Sequence, residues 1–194
     1  MTPAASGIRA SSAAAIVGGL LWIPIRLAIG GTWGESVAGI GYVEWNRLMV
    51  VPLVLLIGGS GVLVERAGSR PARIGAWMAI AGLVGMLAGV IVEFWIVGGL
   101  ESGNRDGAIA GWMVYLLAGV LVHVVGLAMF GLNVKGRLGA LTVLIAVLHV
   151  LWIPAGLSGL PALLAFDQAL IGAGWVAIGS LGMRERATSP VQSA

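Results

Sequence analysis

The sequence predicts an all-α integral membrane protein: a single bundle of six transmembrane helices with both termini cytoplasmic. Three observations point there. Only 10% of the 194 residues are charged, while 59% are hydrophobic and a further 32 are glycine; soluble domains carry roughly 25% charged residues. Several apolar runs approach or exceed the ~18–20 residues a helix needs to cross a hydrocarbon core about 30 Å thick. These runs also lack the polar face that a helix on a soluble core retains.

The third observation is charge asymmetry. Arg9, Arg66, Arg70, Arg73, Lys135, Arg137, Arg184 and Arg186 fall on one side of the predicted bundle. Only Arg47 and Arg105 fall on the other, with Glu35, Glu44, Glu101 and Asp106. The positive-inside rule places the first group, and with it both termini, in the cytoplasm. The basic residues lie in twos and threes between apolar runs, so the net charge of +3 reads as topology rather than as a nucleic-acid surface.

The first span covers about 13–30. Its length, together with Pro24, Arg26 and the lack of a small-residue cleavage site, marks it as an uncleaved span rather than a signal peptide. The loop Gly31 to Asn46 holds Trp33, Tyr42 and Trp45 and is expected to lie at the interface or re-enter the bundle. The second span, about 48–64, is short and contains Gly58-Gly59-Ser60-Gly61. Those residues predict either close backbone approach or a broken helix. The third, about 74–98, places Ala81, Gly85 and Gly89 at four-residue spacing beside Gly82, a small-residue face for tight packing.

The fourth span is about 109–131, the fifth about 138–156 and the sixth about 160–182. Leu151-Trp152-Ile153-Pro154 in the fifth repeats Leu21-Trp22-Ile23-Pro24 in the first, and predicts that both helices bend or stop at similar depth. Residues 1–186 form one domain on this reading, and the polar tail 187–194 is expected to be disordered.

Intramembrane charges are costly and usually paired or functional. Arg26, Glu93, His149 and Asp167 fall on four different predicted helices. Counting ~1.5 Å per residue from each external end puts them roughly 6–12 Å deep, in one layer, with His123 deeper at roughly 20 Å. Glu44, Asn46, Arg47, Arg105, Asp106 and Gln168 form a polar rim at the same end. A direct pair between Arg26 and Glu93 or Asp167 is the strongest expectation, because arginine stays charged in practically any environment.

The layer fits a small-solute or proton-linked transporter or binding protein, with His149 and His123 as a proton relay. A non-catalytic accessory or assembly subunit, paired with its own copies or with a membrane-complex partner, is the alternative. Two further readings stay open: a membrane-embedded lipid or isoprenoid enzyme using Glu93 and Asp167, and a haem-binding electron-transfer protein ligated by His123 and His149. An enzyme is the less favoured class. There is no cysteine, no zinc-binding His-Glu-x-x-His helix and no phosphate-binding glycine loop, so no metal site or nucleic-acid partner is predicted. The lipid bilayer is the predicted surrounding. The Arg-, Ala- and Gly-rich composition suggests the cytoplasmic membrane of a prokaryote.

Overall fold

A computed structural model describes residues 3–31, 36–157 and 159–184. The described residues are helical, apart from an isolated bridge between Val37 and Ile40 and short turns. Six helices are long and apolar enough to cross a membrane. They are α1 (Pro3–Gly31), α2 (Tyr42–Arg66), α3 (Arg70–Val90, continued by a π-helical stretch Ile91–Val97), α4 (Arg105–Asn133), α5 (Arg137–Leu157) and α6 (Pro161–Arg184). This is the architecture of a multi-pass membrane protein. The tail 187–194 and Trp33 lie outside the described residues.

Each helix packs beside its neighbour in sequence, and α6 closes on α1, so the six form a ring. Lipid tails are as apolar as leucine, so helix association in a membrane relies on close packing of small residues. The two tightest pairs show this. A side chain at Gly19 would strike the Gly172 carbonyl of α6 and one at Gly179 the Ser12 carbonyl of α1. On α3, Gly82 lies on the His123 backbone of α4, Gly85 on Ala118 and Gly89 on Tyr115. Ala81, expected on this face, is exposed instead; Gly75 joins the face, against Gly126 and Phe130.

α2 is interrupted at Met49 and again at Ser60. Pro52 lacks the N–H that would bond the Leu48 carbonyl, which accounts for the first break. At the second, Ser60 Oγ donates to the Leu56 carbonyl at 2.8 Å, while Gly59 lies against the Ala15 backbone and Gly61 against Ser11. The glycine–serine stretch thus gives both close approach and a broken helix.

The loop before α2 ends in a turn pinned by Trp45 Nε1, which donates to the Val37 carbonyl at 3.2 Å. The two prolines of the repeated tetrapeptide do not stop their helices: Pro24 and Pro154 are both inside α1 and α5. Leu83, Leu127, Phe130, Ile145 and Ile178 are all essentially inaccessible, and the hydroxyls of Ser12, Ser60 and Thr142 are buried in the same half of the core.

Candidate buried polar site

The cation of the predicted layer is bound, but not by a carboxylate. Arg26 Nε donates to Gln168 Oε1 at 2.8 Å, and Gln168 Nε2 donates to Asp167 Oδ2 at 3.0 Å. The charge on α1 therefore reaches the carboxylate on α6 through an amide. Successive helical residues point about 100° apart, so α6 can aim one of these two side chains at Arg26, and that one is Gln168. Expected at the rim, Gln168 is instead 3% exposed and central to the network.

Two tryptophans flank the same guanidinium. Arg26 Cζ lies 5.5 Å from the Trp22 ring centroid and 5.8 Å from that of Trp152. The repeated Leu-Trp-Ile-Pro pieces of α1 and α5 thus converge on one cation. Ring faces attract a guanidinium more strongly once it is desolvated. This is a structural use of the repeat that depth alone did not suggest.

The two histidines sit together. Their ring centroids are 5.2 Å apart, edge to face, and the His149 ring lies 6.4 Å from Trp22 while His123 stacks on Trp175 at 6.1 Å. His123 Nδ1 bonds the Ala79 carbonyl at 2.8 Å and His149 Nδ1 the Ile145 carbonyl at 2.9 Å. The α3–α4 hairpin is longer than the others, its candidate spans running 33 and 29 residues against 19–25 elsewhere, so residues counted from its end need not share a level with residues counted equally far from a shorter loop. Edge-to-face contact, with tryptophan on either side, leaves no flat slot between the imidazoles for a porphyrin.

Glu93 belongs to a second cluster, on α2, α3 and α4. It lies within the π-helical stretch Ile91–Val97, 8% exposed, with its backbone against Gly111 of α4. A second π-helical stretch, Val114–Leu121, packs on the Arg70–Val90 part of α3 and carries Tyr115, which lies on Gly89. Tyr42 packs edge-on against Phe94, the neighbour of Glu93, with ring centroids 5.8 Å apart. The nearest arginine on α2, Arg47, gives its Nε–H to the Phe94 carbonyl at 2.8 Å and its charge to the Trp95 ring at 5.7 Å. Asn46, also expected at the rim, is buried and donates to the Tyr42 carbonyl at 2.9 Å.

Four buried side-chain atoms have no hydrogen-bond partner among the described residues: Asp167 Oδ1, Trp22 Nε1, His123 Nε2 and Ser12 Oγ. Buried polar atoms of this kind call for water, an ion or a ligand. The first three follow one another inward from Arg26 to the middle of the bundle. Glu44, Arg105 and Asp106 are exposed at the end of the bundle where α2 and α4 begin. Among the described residues no three His, Asp or Glu side chains converge as a metal site would require.

Tyr42, Tyr115 and the two π-helical stretches were missed as site components. Tyrosine reads as an interfacial residue in sequence, and π-helical geometry has no simple residue code. π-helical turns occur frequently at functional sites. Compared with known proteins, the chain matches no family model, and no curated protein or solved structure is significantly similar to it.

Proposed function

We propose that this chain is a small-solute or proton-linked transporter or binding protein of a prokaryotic cytoplasmic membrane, with its arginine-rich face and both termini inside. The observation that carries this reading is a line of buried ionisable and amide groups. It starts at the external end with Arg26, Gln168 and Asp167, passes Trp22 and His149, and ends at His123; farther along, the buried polar side chains are the hydroxyls of Ser12, Ser60 and Thr142 among large apolar residues.

In this reading the unpartnered atoms of Asp167, Trp22 and His123 are contact points for a small polar solute or for water carrying protons. Glu93 is the mobile carboxylate. The π-helical backbone beneath it has a spare residue in its turn, so a shift toward α-helical geometry re-aims the side chain without unfolding the helix. The close packing of Leu127, Phe130 and Ile178 keeps the path closed toward the cytoplasm until the helices rearrange.

The test is uptake by proteoliposomes under an imposed pH gradient, screened across small polar solutes with a pH-sensitive dye in the lumen. Solute- or gradient-driven flux is expected from the native chain. Glu93→Gln should reduce it at least tenfold while leaving thermal stability unchanged. If Glu93→Gln instead lowers the protein's abundance or releases a co-purifying membrane partner, with no flux from the native chain, the accessory-subunit reading replaces this one.

A further inference from the structure

The arginine-rich end of the bundle holds a groove that the polar site does not use. It lies between α5 and α6 and has a volume of about 470 Å³. Arg137 and Arg184 stand at its mouth, and Ala140, Leu141, Leu144, Ala177 and Leu181 line its walls with Ser180. Residues 137, 140, 141 and 144 share one face of α5, and 177, 180, 181 and 184 share one face of α6. The groove therefore runs roughly 10 Å along the helices from the arginines. It closes where Gly174 meets the Ile145 side chain.

The chemistry of this groove is divided lengthwise. Two guanidiniums mark the polar end and small or branched apolar side chains fill the rest. Ser180 does not alter this, since its hydroxyl donates to the Val176 carbonyl at 2.8 Å. A free anion would use only the mouth, and a neutral lipid only the walls. A molecule with a phosphate at one end and a chain at the other uses both.

We propose that the α5–α6 groove binds an anionic phospholipid, its phosphate between Arg137 and Arg184 and part of one acyl chain along Leu144 and Leu181. Arg184 closes α6 and Arg137 opens α5, so the two charges converge from opposite chain directions on one headgroup position. Guanidinium suits this role because its fork of N–H groups matches phosphate oxygens. A second basic face, lined by Arg70, Arg73, Ile74, Trp77, Met78 and Ala81, provides an internal control. It carries two arginines as well, but its walls come from α3 alone, so it has no second helix to enclose a chain.

The experiment is native mass spectrometry of the full chain in mild detergent, titrated with phosphatidylglycerol and, in a parallel arm, with phosphatidylcholine. One phosphatidylglycerol is expected to remain bound in preference to phosphatidylcholine. Each lipid-facing arginine near an anionic headgroup contributes on the order of a fivefold change in affinity. The double variant Arg137→Gln/Arg184→Gln should therefore weaken that lipid about twentyfold, and Arg70→Gln/Arg73→Gln should not. Ala177→Trp, which keeps both charges and fills the groove, should also displace the lipid. Equal binding of the two lipids, or equal losses from the two arginine pairs, overturns the proposal. So does full retention in Ala177→Trp, because the charges alone would then suffice. Both arginines are exposed, so an unchanged melting temperature separates lost binding from lost folding.

Discussion

The two buried carboxylates of this bundle are held in opposite ways. Asp167 sits on regular α-helix, accepts from Gln168 and is tied through it to Arg26, which is itself clasped by Trp22 and Trp152. Glu93 sits on π-helical backbone between packed glycines, and the nearest arginine on its side spends its Nε–H on a backbone carbonyl. One carboxylate is built into a network that crosses from α1 to α6. The other is placed on a π-helical stretch of α3. Under the proposed function, the difference separates a polar group that holds helices in place from one that moves.

That comparison makes graded claims about stability. Arg26→Met is expected to have the largest effect, on the order of 3–4 kcal/mol, because it strands a buried carboxylate and its amide. Thermal or denaturant unfolding in detergent should show it, and a change below about 1 kcal/mol would mean the α1–α6 network is not structural. Gly82→Val should cost about 2–3 kcal/mol, since a side chain there meets the His123 backbone and must push α3 from α4. The same variant should disturb the imidazole pair, readable by histidine NMR resonances, while Gly30→Ala, where nothing lies within 4 Å, should not.

Gln168→Leu removes the amide between Arg26 and Asp167 and should cost about 1–2 kcal/mol. Its effect should be smaller in an Arg26→Met background, where only the bond to Asp167 is left to lose, and the double-mutant cycle isolates the Arg26 link. Glu93→Gln is expected to change stability by less than about 1 kcal/mol, since it breaks no ion pair with a described cation. Should Glu93→Gln destabilise as much as Arg26→Met, the two carboxylates would share one structural role and the distinction would fail.

The sequence made the membrane class plain, because twenty-residue apolar runs have no other stable home and every backbone group in lipid must bond within its own helix. It also put Arg26 and Asp167 at one predicted level, and the two are joined through Gln168. It did not reveal partners. Gln168 was passed over for its carboxylate neighbour, since which of two adjacent residues faces α1 depends on the rotation of α6. A uniformly apolar helix carries no moment from which to read that rotation. Nor did counted depth reveal that His123 and His149 touch, because counting along each helix says nothing of how far a hairpin extends past its neighbours. Glycine spacing located the tight α3 face, yet it wrongly included Ala81, which small-residue patterning alone could not tell from the true contact row.

The central claim is that the polar line opens toward the external end and is sealed below His123. The chain has no cysteine, so single-cysteine variants need no background engineering. Cysteine at position 167, and in separate chains at positions 127 and 130, would be exposed to a membrane-impermeant thiol reagent in right-side-out and inside-out vesicles. The account predicts labelling of position 167 from the external side alone, and none at 127 or 130 from either side. Labelling of position 167 from the cytoplasmic side, or its complete protection from both, would contradict it.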